Sequence, residues 1–267
     1  MELSQVLFVY NPDRPAAEAV VRRGARWCEG RGIAAHLSPR WRAFPESVDL
    51  VVAVGGDGTI LRAASGIYPT EIPILGVHVG SLGFLAACEG DHIEDALEEM
   101  VSGQVRAERR LRLAAGGPGI AGTALNDVVV VGPAHARYVE LAVEVDGDSV
   151  AVVSGDGVIV ATPTGSTAYA LAAGGPIVHP GVGAILIVPL ASHCLGLRPV
   201  AVPAGAEVRV QALSPAAVFL DGDMAGELAP GEAIRVARAP ADTVFLRLSG
   251  EATLFARLRD KLGWPAP

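Results

Sequence analysis

Leu50-Val51-Val52-Ala53-Val54-Gly55-Gly56-Asp57-Gly58-Thr59 is the stretch on which the reading of the fold turns. Its apolar half leaves no polar face, the pattern of a strand buried on both sides of a parallel sheet. The run breaks on glycines, and helical spacing begins at Ile60. A strand that ends in a glycine turn and opens a helix is half of a strand–helix–strand unit. In an open sheet of that kind ligands gather at the carboxyl ends of the strands. Gly55, Gly56 and Gly58 let the backbone approach a ligand closely, and free N–H groups at the following helix start favour an anion such as phosphate. Asp57 does not suit an anion. A carboxylate among phosphate-binding amides faces a hydroxyl instead, as hydrogen-bond acceptor or general base. The plainer alternative is an Asp in a tight turn or at a helix N-cap.

Working outward, the same alternation continues on both sides. Residues 6–10 form an apolar run closed by the turn signal Asn11-Pro12. Residues 16–31 carry helical spacing and stop at Gly32. Residues 72–79 read as the next strand and residues 93–101 as a helix. This predicts an α/β domain with an open, mostly parallel sheet over residues 1–103. Past Gln104 the texture changes to short β-rich runs, among them 125–131, 139–145, 150–153, 158–161, 185–188, 208–210, 218–220, 234–236 and 244–248. Asp146-Gly147 and Asp221-Gly222 are hairpin dipeptides. Residues 104–250 are therefore predicted to be an all-β domain of stacked sheets. Residues 251–262 return to helical spacing, with Leu254, Leu258 and Leu262 four apart. That final segment, 251–267, is predicted to pack back on the first domain.

Composition narrows the function classes. The chain has 267 residues, 51% hydrophobic but only 5% aromatic, so its core must be aliphatic. No apolar run is long enough to span a bilayer. The first residues lack the basic start of a signal peptide, which sets the expectation of a cytoplasmic protein. A formal net charge of -8 and a pI near 5.3 argue against nucleic acid or anionic membranes as partners. Lys261 is the only lysine, and no Gly-Lys-Ser/Thr triplet exists, so a P-loop nucleotide site is excluded. Cys28, Cys88 and Cys194 are odd in number and far apart, which suits buried thiols in a reducing compartment. No histidine spacing suggests zinc.

Two further motifs carry chemistry. Gly155-Asp156-Gly157 precedes a short strand and then Thr162-Pro163-Thr164-Gly165-Ser166-Thr167-Ala168-Tyr169. Hydroxyls and N–H groups crowded around one glycine could cradle a phosphate or ribose, with Tyr169 against a ring; an ordinary Ser/Thr cap is the alternative. Asn126-Asp127 stands at a strand start and could bind a polyol, or simply form a turn. Two literal matches are rejected. Gly117-Pro118-Gly119-Ile120-Ala121-Gly122 contains proline and precedes a strand, so it reads as a hairpin loop rather than a dinucleotide fingerprint. The acidic run from Asp221 to Glu232 is flanked by strands and interrupted by Pro230, so it is no calcium loop.

In order and approximate spacing, Gly55-Gly56-Asp57-Gly58-Thr59, Gly80-Ser81-Leu82-Gly83-Phe84-Leu85, Asn126-Asp127 and residues 162–176 resemble the NAD kinases. The likeness spans roughly residues 5–260. The first motif alone is shared with diacylglycerol-type lipid kinases and, more loosely, phosphofructokinases; the others make the resemblance specific. It implies phosphorylation of the adenosine ribose 2′-hydroxyl of NAD by ATP or polyphosphate, with Mg2+ accompanying the nucleotide. It implies an α/β domain and a β-rich domain with NAD between them, in a homodimer or homotetramer. By the same resemblance Asp57 faces the attacking hydroxyl, amid Gly55, Gly56, Gly58 and Thr59, and Phe84 walls the nucleotide pocket. Asn126 and Asp127 bind the dinucleotide, and Asp156 meets its nicotinamide end. Ser166, Thr167, Ala168 and Tyr169 line the adenine and ribose end, with Asp221 within reach. Three positions depart from the family pattern: Asp127 stands for the usual Glu, His78 for an Asn, and Ala191-Ser192-His193 lacks a proline before the histidine. A lipid kinase would need a basic amphipathic helix for docking, which the sequence lacks. A non-catalytic NAD sensor is disfavoured by the intact Asp57.

Overall fold

The computed structural model describes residues 3–39, 47–80, 83–133 and 138–265. It divides the chain into two compact units, Met1–Arg109 with Thr243–Pro267, and Arg110–Asp242. In the first unit the strands β1 (Gln5–Tyr10), β2 (Ala34–Pro39), β3 (Leu50–Gly55) and β4 (Ile74–His78) alternate with the helices α1 (Pro15–Glu29) and α2 (Asp57–Ile67). The short β5 (Cys88–Glu89), then α3 (Ile93–Val101) and β6 (Val105–Arg110), complete its N-terminal part. β1 pairs in parallel with both β2 and β3, and β3 in parallel with β4. The chain therefore steps to one side of β1 and then crosses to the other, which makes the carboxyl ends of β1 and β3 a topological switch point. All of β3 is buried, as its unbroken apolar run requires. One face of the sheet shares a core with α1 and α3, including Val6, Phe8, Val52, Val54, Val21 and Leu97. α2 turns Ile60, Ala63, Ala64 and Ile67 inward.

Among the described residues the second unit has twelve strands in two six-stranded sheets. They run in chain order as β7 (Leu113–Gly117), β8 (Ile120–Ala124), β9 (Asp127–Val131), β10 (Val139–Val145), β11 (Asp148–Gly155) and β12 (Gly157–Ala161). After the four-residue helix α4 (Tyr169–Ala172) come β13 (Ala184–Leu190), β14 (Val200–Pro203), β15 (Val208–Ala212), β16 (Ala216–Leu220), β17 (Asp223–Leu228) and β18 (Ala233–Arg238). One sheet has the order β11-β10-β15-β18-β7-β8 and the other β14-β13-β12-β9-β16-β17. Val128, Val130, Val158, Val160 and Ile185 of the second sheet share one core with Leu113, Leu141, Val143, Val210 and Ile234 of the first. The intervening residues Val129, Ile159, Leu186 and Val188 pack on the opposite face with Ala170 of α4. This sheet is thus covered on both sides, which explains the uninterrupted Val128-Val129-Val130-Val131.

Two sequence expectations need correction. The boundaries drawn at 103/104 and 250/251 give way to 109/110 and 242/243, because β6 and the last strand, β19 (Thr243–Leu248), join the first sheet. β19 pairs in parallel with β4. A short apolar run carries no mark of which sheet it will enter, so residues 244–248 looked like one more strand of the β domain. Cys194 is exposed rather than buried, and all three cysteines are free. Both hairpin dipeptides hold: Asp146 and Asp221 take φ of 51° and 49°, and each is followed by a positive-φ glycine. Gly117-Pro118-Gly119 closes the β7–β8 hairpin. The final helix, α5 (Leu254–Leu262), belongs to the first unit, but its buried residues are Arg257 and Leu258, and Leu262 is exposed. No helix among the described residues is long and apolar enough to cross a membrane.

Candidate active site

Asp57 stands at the switch point, one residue past the N-cap of α2, which is Gly56. The capping alternative therefore fails: the side chain reaches away from its own helix. Its Oδ2 accepts from the N–H of Phe84 at 2.9 Å and its Oδ1 from the N–H of Leu85 at 3.2 Å. Each carboxylate oxygen spends one lone pair on this clamp and keeps another for a ligand. Gly83 is glycine for a reason visible here: a Cβ built on it would lie 1.8 Å from Oδ1 of Asp57. Of the predicted neighbours, Gly55 ends β3, and Gly58 and Thr59 form the first turn of α2. Phe84 is half-buried, and the ammonium of Lys261 sits 5.1 Å from its ring centroid. Ser81 and Leu82 of the same motif lie outside the described residues. His78, one of the family departures, is buried, with Nε2 3.7 Å from Oε1 of Glu89.

In the second unit a cavity of about 440 Å³ opens on the face of β9 and β16 turned away from the sandwich core. Asn126, Asp127, Val129, Val131, Ala168, Tyr169, Phe219, Asp221 and Gly222 line it. A volume of this size takes a nucleoside-sized group, and its apolar floor with a few polar groups at one end is the usual form of such a site. The polar end is built on Asp221. Its carboxylate accepts from the N–H groups of Leu125 (2.7 Å), Asn126 (2.7 Å) and Asp127 (3.2 Å), fixing the turn that presents the next two side chains. Behind that turn, a Cβ on Gly165 would fall 2.1 Å from the carbonyl oxygen of Asn126, so only glycine lets the two loops meet. Tyr169, half of whose surface is exposed, offers a ring face.

Burial dominates the electrostatics here. Asp127 is pushed up to about 7, first by desolvation and then by the charge of Asp221. Asp221 is also raised by burial, but its three N–H donors and the Arg112 guanidinium oppose the shift. Asp221 is the better-stabilised anion of the pair. Asp127 is the group that takes and releases a proton near neutrality, and in its acid form it can donate a hydrogen bond.

The predicted residues do not all serve the cavity. Asn126, Asp127, Ala168, Tyr169 and Asp221 are brought together in it. Ser166 is fully buried, and its hydroxyl is committed: it donates to the Pro163 carbonyl at 2.6 Å and accepts from the Val178 N–H at 3.0 Å. The Thr167 hydroxyl donates to the Thr164 carbonyl. Asp156 is exposed, between β11 and β12, and is not among the lining residues. Sequence reasoning missed Val129, Val131, Phe219 and Gly222 as lining residues. The odd positions of the Val128–Val131 run were a usable signal, since alternate residues of a strand share a face; Phe219 comes from a neighbouring strand and left none. Arg247 is buried in an ion cluster with Glu108 and Glu251.

Comparisons with known proteins agree with this architecture. The ATP-NAD kinase N-terminal domain matches residues 36–105 and the ATP-NAD kinase C-terminal domain residues 125–248. A NAD kinase of Gemmatimonas aurantiaca is 42% identical over 228 residues, covering 81% of this chain and 78% of the relative. One from Heliobacterium modesticaldum is 38% identical over 274 residues, covering 95% and 96%. Among solved structures, yeast NADH kinase complexed with NADH superposes with a TM-score of 0.91 at 25% identity, covering 100% of this chain and 90% of that one. The NAD kinase from Archaeoglobus fulgidus in complex with ATP gives 0.80 at 29%, covering 97% of each. With both domains matched in order, and with relatives of this identity along most of its length, the chain belongs to the NAD kinase family.

Proposed function

We propose that this NAD kinase transfers a phosphoryl group from ATP, or from polyphosphate, to the adenosine ribose 2′-hydroxyl of NAD, giving NADP. The observation that carries the reading is the Asp57 carboxylate, clamped by the Phe84 and Leu85 N–H groups at the carboxyl end of β3, with an unused lone pair on each oxygen. A ribose hydroxyl is far too weak an acid to be deprotonated by a carboxylate before reaction. Asp57 instead orients the attacking oxygen and takes its proton as the O–P bond forms and the bond to the donor phosphate breaks. The family members solved with NADH and with ATP support a dinucleotide and ATP as the two substrates. Asn126 and Asp127 then bind ribose hydroxyls, Tyr169 and Ala168 hold a ring, and Asp156 and Thr167 make polar contacts at the periphery. Gly55, Gly56 and Gly58 bring backbone N–H groups to the donor phosphates, and Thr59, whose N–H is given to the Gly56 carbonyl at 2.9 Å, joins them through its side chain. Asp221 shapes the Asn126-Asp127 turn at the polar end of the cavity.

Among the described residues no group of three or more His, Cys, Asp or Glu side chains is placed to hold a metal ion. Magnesium bound chiefly by the donor's phosphate oxygens needs few protein ligands, and the spare lone pairs of Asp57 fit that requirement. When bound it neutralises phosphate charge. We further place the enzyme in the cytoplasm as a homodimer or homotetramer, in keeping with the family.

The test is NADP formation, read with an NADP-specific dehydrogenase that demands the 2′-phosphate. Purified protein is given magnesium with ATP or polyphosphate, and NAD, NADH or diacylglycerol as acceptor. Asp57→Asn is expected to lower kcat by about 10²- to 10⁴-fold with little change in NAD affinity. An Asp57→Asn enzyme as fast as the wild type would remove Asp57 from the mechanism. NAD binding without turnover would make the protein a sensor, and phosphorylated diacylglycerol would make it a lipid kinase.

A further inference from the structure

Arg257 is only 3% exposed, and it is one of just two buried residues of α5. Thr253 caps this helix by accepting from the Ala256 N–H, and Gly263 ends it at φ 66°. The element that closes the first unit thus anchors itself on a cation. Its Nη1 donates to the carbonyl of Gly83 at 3.2 Å and to that of Phe84 at 3.3 Å. Those carbonyls belong to the peptide units Gly83–Phe84 and Phe84–Leu85. The N–H groups of the same two units hold Oδ2 and Oδ1 of Asp57. A trans peptide points its C=O and N–H in opposite directions. The segment therefore lies with the guanidinium on one side and the carboxylate on the other.

We infer that Arg257 is a positioning residue for the reaction, acting on Asp57 through these two peptide units; the inference rests on the proposed role of Asp57. A cation at the carbonyl end polarises each unit and strengthens the hydrogen bond its N–H donates. It also fixes the tilt of both units, and so the plane of the carboxylate they hold. The surrounding charges locate the guanidinium in turn. Oε1 of Glu251 accepts from both Arg257 and Arg247, and Arg247 is also paired with Glu108. Arg257 Nε donates to the Ala252 carbonyl at 3.2 Å. A buried ion cluster is a poor way to gain stability, since desolvation cancels most of the attraction. A placement that two backbone carbonyls require gives this one a purpose. Arg247 provides an internal contrast: it donates to the Leu85 carbonyl at 3.1 Å, whose peptide unit supplies no N–H to Asp57.

The experiment is a double-mutant cycle. Values of kcat and KM for NAD are measured for the wild type, Arg257→Gln, Asp57→Asn and the double variant, with Arg257→Lys and Arg247→Gln alongside. Arg257→Gln is expected to lower kcat by about 10- to 100-fold and to leave KM within about twofold. Arg257→Lys recovers part of the loss, because a single-point cation replaces the fork. In the Asp57→Asn background Arg257→Gln has no further effect, since the group it positions is gone. Arg247→Gln lowers the melting temperature and costs kcat several-fold less than Arg257→Gln does, because the Leu85 carbonyl it holds lies outside the two peptide units that clamp Asp57. Equal fold-losses in the two backgrounds, a change confined to KM, or a loss of kcat in Arg247→Gln matching that in Arg257→Gln would each overturn the inference. Should Arg257→Gln not fold, the same cycle is read with Arg257→Lys. The Asp57→Asn single variant reports separately on the proposed function; a wild-type kcat there removes both.

Discussion

Replacing Gly83 by alanine perturbs Asp57 without touching its carboxyl group. The new Cβ would lie 1.8 Å from Oδ1, 2.4 Å from Cγ and 2.6 Å from Oδ2 of Asp57. Non-bonded heavy atoms settle at roughly 3.5 Å, so one side must retreat by well over an ångström. The backbone at residues 83–85 is held from behind by Arg257 and Arg247, so the carboxylate is the part that moves. It then loses one or both of its N–H contacts, now 2.9 and 3.2 Å long. Hydrogen bonds to a charged group contribute about 1.5–3 kcal/mol each, and this site is partly exposed, so the stability loss should be about 2 kcal/mol. The larger effect is on rate: displacing a reacting group by an ångström costs on the order of 10²-fold. NADP formation at saturating substrates should therefore fall about 10²-fold in Gly83→Ala. NAD binding, measured by calorimetry, should change little. A variant with wild-type kcat and an unchanged melting temperature would show that Asp57 needs no clamp, and the account of the site would fail.

The cavity yields three further tests. Asp127 is raised from an unfolded-state value of 3.8 to about 7, so ionising it in the folded protein costs stability. That penalty starts as pH rises above about 4 and is complete above about 7, so Asp127→Asn should raise the melting temperature only modestly at pH 5 and most at pH 8. A gain independent of pH would contradict the shift. Asp221→Ala leaves the N–H groups of Leu125, Asn126 and Asp127 without their acceptor and should cost about 3 kcal/mol in denaturant unfolding, with weaker NAD binding. Unchanged stability would mean the turn holds itself. Tyr169→Ala removes a half-exposed ring and should raise the Kd for NAD roughly tenfold while hardly moving the melting temperature. An unaltered Kd would take the ring out of the binding surface.

Much of this was legible in the chain itself. An apolar run without a polar face, broken by glycines before a helix, specifies a buried parallel strand and a ligand edge, because the sheet's two-sided burial leaves that mark on sequence. Asp146-Gly147 and Asp221-Gly222 specify their hairpins because few residue pairs tolerate positive φ twice in succession. Periodicity and turn chemistry are local, and they survive translation into sequence. β7 and β8 showed only the glycine-proline loop between them. Leu113-Ala114-Ala115-Gly116-Gly117 and Ile120-Ala121-Gly122-Thr123-Ala124 are poor strand formers that pair only because the sheet is there to receive them. β19 looked identical to its neighbours in sequence until folding set it beside β4. What the hydroxyls of Ser166 and Thr167 bond to, and that Asp221 grips three backbone amides, depended on partners 3 to 96 residues away. Charge burial was hidden in the same way. Nothing near Arg247 or Arg257 in the chain shows that both would end inside, because the carbonyls they serve lie 162 and 174 residues earlier, at Leu85 and Gly83, and come within reach only when β19 and the last helix join the first unit.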